Sequence, residues 1–177
     1  MWTSTCMAGS LPAKCDEPTM KHTIENLTPL PHTAQNRCFG CGAANPAGLH
    51  LEFFLADDGK VVCMTQVADT FEGPHGLLHG GIIATLLDEI MSKAVRSHGI
   101  VAMTRHMEVD YLRPIPSLAP IRLEARVTRN EGKKHWAEAS IVNREGKVLA
   151  HGKGLFIEVR RPAPDPDPIR DESTPHG

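Results

Sequence analysis

The chain of 177 residues has no apolar run approaching the roughly 18 residues that a membrane-spanning helix requires. It also lacks a charge imbalance: 19 Lys and Arg stand against 21 Asp and Glu, a formal net charge of −2. Neither nucleic acid nor an anionic membrane surface is therefore expected as a partner. No hydrophobic signal core opens the chain and no arginine precedes Arg37, so neither a secretory signal nor an Arg-rich transit peptide is expected. Five cysteines, an odd number, fit reduced thiols better than a disulfide framework. The expectation is a soluble cytoplasmic domain. A Ser nucleophile elbow, a phosphate-binding Walker loop and a dinucleotide fingerprint are all missing, which removes the commonest hydrolase, nucleotidase and oxidoreductase signatures.

Residues 1–36 show scattered Pro, Thr, Ser and His without a usable period and read as a disordered leader, with Met20 a candidate natural start. The Pro/Asp-rich segment 161–177 reads as an extended, disordered tail. Between them, residues 37–160 form a single expected domain. It opens with Cys38-Phe39-Gly40-Cys41-Gly42. One Cys-x-x-Cys pair falls short of the four ligands of a closed zinc site, and His22, His32 and Cys15 do not add a ribbon or finger spacing. A tight turn packing two small thiols is the favoured reading, and no metal or cofactor is expected.

Periodicity gives the elements. Leu49 to Ala56 alternates as a strand, Asp57-Asp58-Gly59 turns, and Lys60 to Ala68 returns as its partner. A Gly/Pro loop over 69–78 then leads into His79-Gly80-Gly81 and a helix to about Ser97, stopped by Gly99. On a helical wheel its apolar residues, from Ile82 to Val95, fill an arc of roughly 220°, so the helix should be wrapped on most sides. Four strands follow: Ile100 to Leu112, Ile121 to Arg129, Lys134 to Val142 and Lys147 to Val159. Antiparallel strands with one dominant helix make an α+β fold in which a curved sheet of about six strands encloses a central helix.

The chemistry concentrates at that helix. Two glycines at a helix N-terminus leave N–H groups and partial positive charge, a place suited to a carbonyl oxygen that gains negative charge. Asp88 falls at the border of the apolar arc, where partial desolvation raises a carboxylate pKa towards that of a useful base. Glu89 lies deeper in the polar arc and can pair with Lys93. A plain alternative exists for each residue: Asp88 on a solvated face, glycines that only permit close packing, and turn lysines at Lys133 and Lys134 that only meet water.

The order of elements, the HGG turn with an acidic residue nine positions after its His, a later Thr and the DYLRPIP strand break together resemble the hotdog-fold acyl-CoA thioesterases of the PaaI-like branch. The likeness runs from about Asp69 to Val159. It implies an acyl-CoA substrate and a homodimer or tetramer with sites shared between protomers. Asp88 matches the catalytic carboxylate, as base or nucleophile, and Thr104 the hydroxyl that helps to hold it or its water. Gly80 and Gly81 match the carbonyl-polarising turn, and His79 the residue that fixes that turn. Asp110, Arg113, Lys133 and Lys134 match substrate-binding positions. Two departures stand out: Gly73 occupies the place of an Asn or Gln in several relatives, and Leu112 that of a Lys. A hotdog hydratase using His79, or a non-catalytic acyl-CoA-binding module, are the other readings.

Overall fold

A computed structural model describes residues 27–160; the expected tail and residues 1–26 of the expected leader lie outside the described residues. Its elements are β1 (Thr28–Pro29), β2 (Phe54–Leu55), β3 (Val61–Gln66), α1 (Gly80–Arg96), β4 (Val101–Tyr111), β5 (Pro120–Glu131), β6 (Lys134–Asn143) and β7 (Val148–Arg160), with a short 3₁₀ turn at Asp69–Phe71. The strands form one antiparallel sheet in the order β1-β2-β3-β5-β6-β7-β4, and α1 lies across its inner face. This is the hotdog arrangement, with an open sheet.

The sheet has seven strands rather than about six, because Thr28–Pro29 adds a short strand to β2. Chain within the expected leader is thus part of the folded body, and Leu30 N donates to Phe53 O at 2.9 Å. The strand expected over Leu49–Ala56 shrinks to Phe54–Leu55. Its alternation is real, since Leu51 and Phe53 are buried, but the backbone there serves another partner. Leu49 N and Leu51 N donate to the carbonyls of Phe39 and Gly40, so the pairing is with the CFGCG turn. Side-chain period reports which face is buried, not which chain accepts the hydrogen bonds.

Most of the wide apolar arc of α1 is buried, with Ile82 and Ala84 at its edge only partly covered. Ile83, Leu86, Leu87, Ile90, Met91, Ala94 and Val95 are buried against Val61, Cys63, Leu123, Ala125, Ala137, Ala139, Ile141 and Phe156. Burying each large aliphatic contributes on the order of 1.5–3 kcal/mol. The helix approaches the sheet closely because small residues line its path. Ala125 pairs with Ala139, Ala139 with Gly152 and Ala137 with Gly154. A Cβ on Gly152 would lie 3.4 Å from Leu87, and one on Gly154 would lie 3.3 Å from the Met91 sulfur. None of the described helices is long and apolar enough to cross a membrane.

The sheet ends differently on its two sides. On one side stands the two-residue β1; on the other stands β4, 11 residues long, with β7 on one flank and no partner on the other among the described residues. The β4–β7 ladder slips between Thr104 and His106, leaving Arg105 as the extra residue of a bulge. In an unbroken strand, residues seven apart point to opposite faces. The bulge resets that phase, so Ala102 and Thr104 before it and Met107, Val109 and Tyr111 after it all face α1.

Candidate active site

The helix begins where the sequence places it. His79 is the N-cap, in extended backbone, and its carbonyl accepts from Ile82 N and Ile83 N. Its ring takes part too: Gly81 N donates to His79 Nδ1 at 2.9 Å. The same peptide unit is held from its other end, since Tyr111 Oη donates to Gly80 O at 3.1 Å. The Gly80–Gly81 peptide is thus clamped on both sides. Of the two glycine N–H groups expected to be bare, Gly81's is committed to His79. The Gly80 N–H, the first of the helix, is left with no acceptor inside the helix.

The loop that delivers the chain to this cap is braced by Glu72. Its carboxylate accepts from Ser117 Oγ at 2.5 Å and from Gly76 N at 2.9 Å. Those two bonds, Ser117's above all, hold its pKa below the ordinary carboxylate value. Gly73 packs against the cap, where a Cβ would come within 3.3 Å of both Cα and Cδ2 of His79. Tyr111 lies within the DYLRPIP strand break, but neither its role nor that of Glu72 follows from periodicity alone.

Two turns further along α1, Thr104 Oγ1 donates to Asp88 Oδ1 at 2.6 Å. Asp88 is half-buried, and desolvation raises its pKa above the ordinary carboxylate value. The Thr104 hydrogen bond acts in the opposite direction, and the negative charge of Glu89 adds to the rise. The result is a carboxylate held in one orientation by a hydroxyl and made more basic than one in water.

Glu89 pairs with Lys93 at 3.3 Å as expected, but neither is on a solvated face: their side chains are only 14% and 17% exposed. Segment 36–42 covers them, with Cys38 Sγ donating to Glu89 Oε2 at 3.4 Å. Burial of Cys41 and Cys63 pushes both thiols up to about 12, and the three described cysteines are free of disulfides.

The expected substrate-binding residues do not converge within one chain. Asp110 is exposed on β4, and Arg113 donates through Nη1 to Val148 O at 2.8 Å. Lys133 and Lys134 are exposed at the β5–β6 turn. Arg113 N bonds Leu149 O whereas Lys134 pairs with Ile157, eight residues further along β7. At about 3.3 Å per residue these cations stand roughly 26 Å apart, at opposite ends of the sheet. The groups expected to polarise the carbonyl and to act as base are separated too: eight residues of helix put the Gly80 N–H about 12 Å along the axis from Asp88. A cavity of about 320 Å³ lies at the ends of β3 and β5, lined by Met64, Gln66, Ile121, Arg122 and their neighbours, and takes in none of the candidate catalytic residues.

Residues 75–150 match the thioesterase superfamily. Acyl-coenzyme A thioesterase THEM4 of Rattus norvegicus is 32% identical over 116 residues, which are 65% of this chain and 48% of that protein. Acyl-coenzyme A thioesterase 13 of Homo sapiens is 29% identical over 101 residues, 55% of this chain and 72% of that protein. Among solved structures, thioesterase superfamily member 2 of zebra fish superimposes with a TM-score of 0.58 at 27% identity, covering 65% of this chain and 89% of that one. This chain spans about half the length of the THEM4 relatives it matches.

Proposed function

We propose, from the match of residues 75–150 to the thioesterase superfamily and from the geometry around Asp88, that this protein hydrolyses acyl-CoA thioesters to the free acid and CoA. The observation that carries the reading is the Thr104–Asp88 hydrogen bond, which orients a desolvated carboxylate on the buried helix. Similarity to relatives named acyl-coenzyme A thioesterases supplies the substrate class.

In this mechanism the Gly80 N–H polarises the thioester carbonyl, while Asp88 either takes a proton from the attacking water or itself attacks the carbonyl carbon. The thiolate of CoA departs in both cases, and where Asp88 attacks, water then cleaves the acyl–Asp88 anhydride to free acid and regenerated carboxylate. General-base assistance is typically worth about 10²–10⁴ in rate, and an amide donor to the developing oxyanion about 2.7–4 kcal/mol. His79 and Tyr111 serve this donor indirectly, by fixing the peptide plane that follows it. Gly81, its N–H committed to His79, shapes the turn.

Groups about 12 Å apart on one helix cannot serve one carbonyl, so the reading calls for two protomers. The long open edge of β4 supports that arrangement, since a bare strand edge is a template for pairing with another chain. Antiparallel β4–β4 pairing about a two-fold axis brings the Thr104 end of one strand towards the Tyr111 end of the other. Asp88 of one protomer then approaches Gly80 of its mate. The same operation brings the Lys133–Lys134 turn of one chain towards Asp110 and Arg113 of the other, which gives the three cations a common role at the nucleotide end of CoA. A cytoplasmic setting accords with the free thiols of Cys38, Cys41 and Cys63.

The test is release of CoA from a panel of short, long and aryl acyl-CoAs by the purified chain, with crotonyl-CoA hydration as the control reaction. Turnover that disappears in Asp88→Asn supports the assignment. No release from any member of the panel, or undiminished turnover in Asp88→Asn, overturns it.

A further inference from the structure

The CFGCG turn has no part in this chemistry, yet it is built with care against the outer side of α1. Cys38 Sγ, Cys41 Sγ and a carboxylate oxygen of Glu89 all lie within 4.8 Å of one another. Two glycines make the approach possible. A Cβ on Gly40 would meet the Glu89 carboxylate at 2.8 Å, and one on Gly42 would meet the Cys38 N at 2.5 Å and the Asn36 O at 2.6 Å. Cys41 is buried and Cys38 half-buried, so the thiols face each other and Glu89 with little water between.

The two oxygens of Glu89 have separate partners. Oε1 is held by Lys93 at 3.3 Å, and Oε2 faces Cys38 Sγ at 3.4 Å. A tetrahedral zinc ion with bonds of about 2.3 Å to sulfur and 2.0–2.2 Å to oxygen sets such ligand atoms roughly 3.6 Å apart. Outer contacts of the kind that orient metal ligands are also present: Lys93 on the free carboxylate oxygen, and Asn36 Nδ2 donating to Cys41 Sγ at 3.4 Å. His32 stacks edge-on to Phe53, whose ring also carries the Lys93 ammonium at 5.6 Å, and its ring stands outside the set of ligand atoms that lie within 4.8 Å of one another. His32 Nε2 is buried without a hydrogen-bond partner among the described residues.

We propose that Cys38, Cys41 and Glu89 form a site for a zinc-class divalent cation, with a water molecule completing the tetrahedron, that fastens segment 36–42 to α1 beside Asp88. The ligand set selects the ion class. Two thiolates and a carboxylate suit a soft, tetrahedral cation, whereas magnesium and calcium want oxygen ligands and an iron–sulfur cluster wants more cysteines. The charges balance. Binding releases the two thiol protons, so two thiolates and one carboxylate offset the cation together with the Lys93 ammonium, and the pocket stays neutral with and without metal. No electron transfer is involved, and the site stands whether or not the chain hydrolyses thioesters.

The experiment uses the full chain, reduced and stripped with chelator, and then dialysed against zinc alone or cobalt(II) alone. Expected are one cation per chain, a thiolate-to-cobalt charge-transfer absorption with tetrahedral ligand-field bands, and a raised Tm. The Cys38→Ser/Cys41→Ser double variant should lose at least 100-fold in affinity together with the charge-transfer band, and Glu89→Gln at least tenfold. Because the wild-type cobalt spectrum reads the site directly, an unstable variant does not mask the answer. A reduced wild-type chain that takes up no metal, or a double-serine variant that binds as tightly as the wild type, overturns the proposal.

Discussion

Thr104 on β4 and Asp88 on α1, 16 residues apart in sequence, are joined by a 2.6 Å hydrogen bond from hydroxyl to carboxylate. The bond spans a chain reversal at Gly99, whose φ of +72° suits glycine. Asp88→Asn is expected to lower kcat for CoA release at least 100-fold, the scale of a lost general base. Thr104→Val should cost roughly tenfold, with Thr104→Ser restoring most of the loss. Steady-state CoA release over a range of acyl chain lengths checks all three variants.

The pH dependence follows from the raised pKa of Asp88. The acid limb of kcat/KM should fall at a pH above that of an ordinary carboxylate, because only the ionised form serves. The Thr104 hydrogen bond pulls that pKa down, so Thr104→Val should move the acid limb to still higher pH. Stability runs the other way. The native state holds the Asp88 proton more tightly than the unfolded chain, so its contribution is complete below the unfolded pKa and is lost as pH rises through the folded one. Asp88→Asn is accordingly expected to raise Tm at pH 7 relative to wild type and to lose this advantage at acid pH, as read by thermal unfolding across the pH range.

Gly80→Pro removes one N–H and little else. Proline is well tolerated at the first position of a helix, and the preceding His79, at φ −64° and ψ 138°, already has the extended backbone that a following proline demands. The nearest atom to a Cβ there, Tyr111 Cε1, is at an ordinary 3.7 Å. The fold should therefore survive, measured by circular dichroism, while kcat falls by about 2.7–4 kcal/mol, on the order of 100- to 1,000-fold.

Mixing Gly80→Pro with Asp88→Asn tests the shared site. In a heterodimer of the proposed arrangement, Asp88 of the first chain would meet Gly80 of the second, leaving one of the two sites whole. Random exchange of protomers should restore about a quarter of wild-type activity. A mixture that stays as inactive as its parents, with exchange verified by native mass spectrometry, would place both groups at separate duties.

Tyr111→Phe releases one end of the clamped Gly80–Gly81 peptide. Loss of a hydrogen bond worth about 1 kcal/mol should reduce kcat roughly fivefold with KM nearly unchanged. A purely structural role for the hydroxyl would lower Tm and leave kcat alone.

Much of this protein is written locally. The cap at His79, the helix to Arg96, the turns at Gly59, Gly132 and Gly146 and the long strands all follow from side-chain period and from backbone conformations that only certain residues adopt comfortably. Asp88 stood out because its place on the helical wheel borders the apolar arc, and that border is a local property too. Other features were not legible there. The Arg105 bulge, which turns Thr104 and Tyr111 to the same face, depends on how β4 registers with β7. The burial of Glu89 depends on a turn 51 residues away folding over it. The separation of Arg113 from Lys133 and Lys134 depends on the lengths of two strands that neither residue's neighbours announce. Sequence by itself determined the helix, the long strands and the faces they bury, because those are governed by contacts a few residues long. The short pairings at Thr28–Pro29 and Phe54–Leu55 were not so determined. Tertiary structure alone decided which side chains meet, because the free energy of long-range packing is settled only when the sheet closes over the helix.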